Sequence, residues 1–207
     1  MDRPGEKVAA IVLAAGKSSR MGRPKQLLPF SGDILAGQVV DAALKARVSS
    51  VALVLGYRAN EIRDALRERI EAHPRLTVVL NRDFDRGMST SIIAGLSAVE
   101  AAHDHAMILL GDMPFIRAKA MDDLLTRYLA SGLPMGAVKL RNGFGHPVVF
   151  HRSLYPELHR LTGDVGARPI LEKYRQNVLL VEPTGAYDHQ DIDTVEDYAR
   201  AEKKSSL

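Results

Sequence analysis

Lys17, Arg20, Arg23 and Lys25 put four cations into one short stretch, interleaved with Gly16, Ser18, Ser19, Gly22 and Pro24. Small residues let backbone N–H groups come close to phosphate oxygens. Arginine and lysine side chains neutralise the charge that develops on a leaving pyrophosphate. The stretch therefore suits a ligand with several phosphates; a basic surface loop is the competing reading. Two common nucleotide loops are excluded by spacing, since neither G-x-x-x-x-G-K-[ST] nor G-x-G-x-x-G is present here.

Acidic residues supply the complement. Asp112 follows the apolar run Met107–Leu110, with Gly111 before it and Pro114 after it. A carboxylate so placed can hold Mg²⁺, a hard cation that takes oxygen ligands; a plain turn or helix-cap aspartate is the alternative. Phosphoryl chemistry requires charge neutralisation, which couples Asp112 to the Gly16–Lys25 stretch. Asp191 and Asp193 share a face of an extended segment, because the side-chain period is two. They repel unless a cation or water lies between them. Thr194, Glu196 and Asp197 read as the start of a helix.

Asn81 ends an apolar run and can offer its amide to a ribose or base edge. Gly87 to Ser91, with Ser89 among them, stand before a helix start, where hydroxyl or anion contact competes with simple capping. His146 lies in the Gly-rich segment Arg141–Pro147, and a lone histidine is most often structural. The six other histidines, His73, His103, His105, His151, His159 and His189, show no metal spacing and read as surface residues.

The elements that position these groups alternate. Apolar runs at Val8–Leu13, Val51–Leu55, Leu76–Leu80 and Ala106–Leu110 read as strands, the first of them buried on both faces. Between them, helices are expected from Asp33 to Ala46, from Asn60 through Ile62, Leu66 and Ile70, from Ser89 or Thr90 to Ala102, and from Arg117 to Ala130. Gln26–Phe30 reads as a short extended piece closed by Ser31-Gly32. This order implies a parallel sheet with right-handed crossovers. Ligands bind outside the carboxyl ends of such strands, where Gly16–Lys25, Gly56-Tyr57, Asn81 and Asp112 all fall. Further on, strands are expected at Met135–Leu140, Val148–Phe150 and Asn177–Val181, and helices at Ser153–Leu161 and Val165–Tyr174. His189–Asp193 reads as extended, and a last helix runs from Thr194 to Ala201 with a frayed tail, Glu202–Leu207.

Length and composition fit one domain, 1–207. Hydrophobic residues make up 46%, enough for a sizeable core, and aromatics 5%, which argues against stacking on single-stranded nucleic acid. A net charge of +3 without a basic block demands no nucleic acid. The absence of cysteine removes disulfides, thiolate metal sites and cysteine nucleophiles. No apolar run approaches a membrane span and Met1–Lys7 has no signal-peptide core, so a cytoplasmic protein is expected.

The wording of the motifs goes further. LAAGKSSRMGRPK, Leu13 to Lys25, resembles the signature L-A-x-G-x-x-x-R-M-G-x-x-K of nucleotidyltransferases. Asn81–Gly95 resembles their nucleoside-binding segment. Gly145-His146-Pro147 before Phe150, and Thr162–Arg168, resemble acceptor-side segments of the molybdopterin nucleotidyltransferase (NTP transferase) family. The resemblance implies a Rossmann-like three-layer α/β/α domain with a mostly parallel central sheet, its nucleotide-binding half spanning 1–112 and its acceptor-binding half 113–207. It implies Mg²⁺-dependent transfer of CMP from CTP to the terminal phosphate of molybdopterin or Mo-molybdopterin, with release of pyrophosphate. A recipient molybdenum hydroxylase is a partner that the resemblance leaves open.

Residue by residue, the resemblance implies that the backbone of Leu13, Ala14, Ala15 and Gly16 reads base and ribose, together with Asn81 and Ser89. Arg20 and Lys25 act on the triphosphate. Asp112, with Asp191 or Asp193, holds the metal. Gly145, His146, Pro147 and Arg168 lie on the acceptor side. Ala15, where guanylyltransferase members more often have glycine, favours CTP over GTP. The chain departs from its relatives at Val195, often proline, and at Asn142 and Phe144, where a more basic string is common. Guanylyl transfer, a sugar- or polyol-phosphate acceptor, and a catalytically idle nucleotide- or molybdopterin-delivery module are the alternatives.

Overall fold

Strand β1, Val8–Ala14, is buried along its whole length. Its even positions, Val8, Ala10, Val12 and Ala14, pack into one apolar layer, and its odd positions, Ala9, Ile11 and Leu13, into another. A strand that is apolar at every position and alternates between two cores must lie inside a three-layer structure. The computed structural model describes residues 5–184 and 187–205. It shows such a sheet.

The remaining strands are β2 (Pro29–Phe30), β3 (Asp33–Ile34), β4 (Ser50–Leu55), β5 (Leu76–Leu80), β6 (His105–Leu110), β7 (Met135–Leu140), β8 (Gly143–His151) and β9 (Val178–Val181). Seven of them form one sheet in the order β5-β4-β1-β6-β8-β7-β9, and β2 pairs with β3 in a small hairpin. β5, β4, β1 and β6 are mutually parallel. β8 runs antiparallel to both β6 and β7, whereas β9 is parallel to β7.

The helices are α1 (Leu35–Lys45), α2 (Ala59–Ala65), α3 (Arg67–Ala72), α4 (Met88–Val99), α5 (Ala118–Ser131), α6 (Tyr155–His159), α7 (Arg168–Lys173) and α8 (Val195–Ser205). α1 and α5 cover one face through Val39, Val40, Leu124 and Tyr128. α4, α6 and α7 cover the other through Ile92, Leu96, Leu158 and Ile170. No helix among the described residues is long and apolar enough to cross a membrane.

Tertiary structure corrects several local expectations. Asp33 does not cap α1. It pairs with Phe30 in the small hairpin, and its carboxylate takes the Arg69 guanidinium at 2.7 Å, a partner far along the chain. Helix α2 begins one residue before Asn60 and stops at Ala65, and α3 follows as a separate short helix. Gln26 lies in a 3-10 turn, Lys25–Leu27, rather than in an extended piece. The segment around His146 is strand β8 rather than a turn, and its His146–Pro147 peptide is cis. His189–Asp193 belongs to no strand. α8 continues to Ser205, while the tail residues Ser206 and Leu207 lie outside the described residues.

His105 is not a surface residue, being 3% exposed. Its Nδ1 lies 3.0 Å from the Tyr128 hydroxyl and its Nε2 lies 3.1 Å from the Glu6 carboxylate. Burial pushes its pKa below the ordinary 6.5, and Glu6 opposes this only in part. Between that lowered value and 6.5 the folded chain binds fewer protons than the unfolded one. Stability from this group is full above 6.5 and is lost as pH falls through the lowered value. The urea midpoint is thus expected to be lower at about pH 5.5 than at about pH 7.5, and His105→Gln to narrow the difference.

Candidate active site

The carboxyl ends of β1 and β6 lie side by side and open into a cavity of about 610 Å³. Gly111 makes that junction possible. Its N–H donates to the Leu13 carbonyl at 2.8 Å, and a Cβ there would come within 2.9 Å of the same oxygen. Asp112 is thereby brought to the mouth of the sheet, next to the loop that follows β1.

That loop is braced from within. Gln26, 3% exposed, donates from Nε2 to the Gly16 carbonyl at 3.0 Å. Ser18, in a left-handed conformation with φ 54°, accepts the Lys25 N–H on its hydroxyl at 3.1 Å and donates to Gln26 Oε1 at 3.4 Å. These bonds aim Lys25 inward and leave Arg20 at the rim.

The third contributor comes from the far end of the chain. Ile192 is fully buried among Met21, Leu28, Phe30 and Phe115, together with Tyr198 and Ala201 of α8. Its N–H donates to the Asp112 carbonyl at 3.0 Å. Burying one such side chain contributes about 2 kcal/mol. It also sets the orientation of its neighbours: with Ile192 inward, Asp191 and Asp193 both line the cavity. The period-two expectation for these aspartates holds, although the segment is irregular.

Four charged side chains then meet. Lys25 Nζ lies 2.5 Å from Asp112 Oδ2 and 2.7 Å from Asp193 Oδ1. Arg20 donates to Asp193 Oδ2 at 2.9 Å. Burial works against the charge on Lys25, but Asp112 and Asp193 outweigh it and hold its pKa above the ordinary value. The hydrogen bond from Lys25 holds Asp193 below the usual carboxylate range. Asp191 is pushed up, first by burial and then by the charges of Asp112 and Asp193.

One oxygen is left over. Asp112 Oδ1 is buried without a hydrogen-bond partner. Asp112 lines the cavity, and a buried carboxylate oxygen without a partner is costly unless a cation satisfies it. Asp191, crowded by the same two carboxylates, would gain from the same cation. The donor set is all oxygen, which fits a hard divalent metal. Among the described residues, however, no three acidic or histidine side chains stand ready as a metal cluster. Lys25 already takes Asp112 Oδ2, and Lys25 and Arg20 take both oxygens of Asp193.

The other predicted site residues divide. Leu13, Ala15 and Gly16 line the cavity; Ala14 points to the opposite core. Asn81 is absorbed structurally: its amide donates to Thr90 and Ser91 at 2.9 and 3.0 Å, and its oxygen accepts the Asp83 N–H at 2.9 Å. Ser89 is buried and its N–H donates to Gly163, while Ser91 reaches the cavity wall.

The residues expected on an acceptor side, Gly145, His146, Pro147 and Arg168, are not among those lining the cavity. Gly145 and Pro147 are buried in β8. His146 Nδ1 is 3.4 Å from the Ile108 carbonyl, and burial holds its pKa low. Arg168 is exposed at the start of α7, its guanidinium 3.7 Å from where a Cβ on Gly143 would stand. The two acceptor-side strings are therefore neighbours. Phe84, Met88 and Asp164 complete the cavity wall without having been singled out. Asp164 had a signal in the Thr162–Arg168 string, since its carboxylate accepts the Met88 N–H at 3.2 Å.

A mostly parallel sheet with a polyanion-sized, cation-bearing cavity at its carboxyl end defines a nucleotide-handling enzyme. Residues 10–178 match the MobA-like NTP transferase domain, and the chain belongs to this family of nucleotidyltransferases. It is 30% identical over 202 residues to nicotine blue oxidoreductase of Paenarthrobacter nicotinovorans, covering 93% of this chain and 95% of that protein. It is 30% identical over 206 residues to molybdenum cofactor cytidylyltransferase of Escherichia coli K12, covering 95% and 96%. The crystal structure of Rv0371c from Mycobacterium tuberculosis H37Rv superposes with a TM-score of 0.81 at 30% identity, covering 96% of this chain and 98% of that one. The same protein has been crystallised in complex with manganese.

Proposed function

We propose that the chain transfers CMP from CTP to the terminal phosphate of molybdopterin or Mo-molybdopterin, with Mg²⁺, and releases pyrophosphate. The observation that carries this reading is the meeting of Lys25 and Arg20 with Asp112 and Asp193, the second oxygen of Asp112 being buried and unpartnered. Asp112 and Asp191 would hold Mg²⁺, which when bound neutralises charge on the phosphate oxygens.

Lys25 and Arg20 orient the triphosphate and stabilise the departing pyrophosphate. The backbone of Leu13–Gly16 faces base and ribose, where the buried Ala15 methyl favours the smaller pyrimidine. Gly145–Pro147 and Arg168 form the acceptor side. An acceptor phosphate oxygen attacks the α-phosphorus in line, the bond to the bridging oxygen breaks, and pyrophosphate leaves. No protein nucleophile is required, because positioning and charge stabilisation supply the rate. The E. coli cytidylyltransferase, similar along nearly its whole length, supports the choice of nucleotide and acceptor.

The test is pyrophosphate release from CTP, GTP, ATP and UTP, each with and without molybdopterin. Release from CTP that depends on the pterin is expected. Release from GTP instead would discredit the Ala15 argument, and release with a sugar or polyol phosphate alone would replace the acceptor.

A further inference from the structure

The ammonium of Lys25 stands where acidic groups would otherwise face one another. It spans Asp112 Oδ2 at 2.5 Å and Asp193 Oδ1 at 2.7 Å, and its side chain is only 13% exposed. Arg20 secures the second oxygen of Asp193, and Asp191 lines the same cavity. Asp112 and Asp193 are thus held together by Lys25, with Arg20 as a second cation on Asp193.

We propose that Lys25 is an internal counter-cation that holds Asp112 against a divalent cation and releases it only when a triphosphate offers Lys25 another anion. This rests on the reading of Asp112 as the residue that holds the divalent cation. A dication arriving alone must compete with Lys25 for Asp112 Oδ2. The displaced ammonium then loses two short charge-assisted bonds in a half-closed site and gains no anion in return. A triphosphate changes the balance. It supplies several negative oxygens in the same cavity, so Lys25 exchanges one set of anions for another and Asp112 is freed. Metal and nucleotide therefore bind with positive coupling, and the coupling resides in one side chain. The free protein keeps its acidic residues compact and does not fill its site with a metal that lacks substrate.

The experiment is a titration of the full chain with Mn²⁺ followed by electron paramagnetic resonance, which reads free ion and needs no turnover. It is done alone and with a non-transferable CTP analogue, after correction for Mn²⁺ bound by the analogue itself. Wild type is expected to bind Mn²⁺ about 10- to 100-fold more tightly with the analogue than without it. Lys25→Met, which keeps the stem and removes the charge, is expected to bind Mn²⁺ alone about tenfold more tightly than wild type and to lose most of the coupling. Lys25→Arg keeps the charge and is expected to stay near wild type. Lys25→Gln repeats the measurement if circular dichroism shows Lys25→Met to be unfolded.

Mn²⁺ binding to wild type as tightly without the analogue as with it overturns the proposal. So does Lys25→Met binding Mn²⁺ no better than wild type; if the analogue still tightens Mn²⁺ in wild type, the metal reading of Asp112 survives. Mn²⁺ binding that ignores both the analogue and Asp112→Asn removes the proposal and that reading together.

Discussion

Asp112→Asn is expected to lower nucleotidyl transfer about 10³-fold while the protein stays folded. The substitution keeps the shape of the side chain and removes the charge. Three consequences act in the same direction. The buried Oδ1, unpartnered in the free protein, no longer offers a carboxylate to a cation. Lys25 loses its 2.5 Å partner and keeps only Asp193. Asp191 loses Asp112 as a co-ligand, while burial and Asp193 still push its pKa up. The backbone is not asked to move, because the Asp112 carbonyl still accepts the Ile192 N–H at 3.0 Å. Single-turnover pyrophosphate release, with urea unfolding alongside, checks both halves. Transfer within tenfold of wild type would mean that another group carries the charge neutralisation.

Gly87→Ala is expected to cost about 3 kcal/mol of stability and to open one wall of the cavity. Gly87 has φ 110° and ψ 170°, a conformation that is essentially glycine's alone. A Cβ there would fall 2.4 Å from the backbone of Gly163. The neighbouring backbone is anchored to the same loop: Met88 N–H donates to Asp164 and Ser89 N–H to the Gly163 carbonyl, each at 3.2 Å. An added methyl must therefore drive the 162–166 loop away from the start of α4, and Asp164 leaves the cavity with it. Gly163→Ala is the control. Gly163 also has positive φ, 72°, but a Cβ there meets nothing within 4 Å, so only the backbone cost of about 1 kcal/mol is expected. The urea midpoints of the two variants, compared with wild type, measure the difference. Equal losses would show that the close approach of Gly87 to Gly163 contributes nothing.

Much of the central sheet is legible from residue order. The runs that form β1, β4 and β6 are apolar at nearly every position, as a strand buried on both faces must be, and β5 is an apolar run too although it is the edge strand with Leu80 exposed. Placement of Gly16–Lys25 and Asp112 at strand ends follows from the same rule of parallel sheets. The local signals misled where a distant partner prevailed. Asp33 carries a capping residue's chemistry but is taken by Arg69. Asn81 has an amide suited to a ligand, yet Thr90, Ser91 and Asp83 consume it. Gly143–Pro147 has the composition of a turn and is nonetheless strand, because β7 pairs with Gly143, Phe144 and Gly145 and β6 pairs with β8 from Val148 onward.

By itself, then, the amino-acid sequence determined the alternating elements, the basic loop after β1, the aspartate after β6 and the two aspartates flanking Ile192. Each depends on residues a few positions apart, where periodicity and charge act directly. Only the tertiary structure decided that these charges share one cavity. The partners of Lys25 lie 87 and 168 residues away, and what joins them is the burial of Ile192, Tyr198 and Ala201 against Met21, Leu28 and Phe30. That contact is apolar and non-directional, so no local pattern announces it. It nevertheless places Asp191 and Asp193 at the cavity beside Lys25.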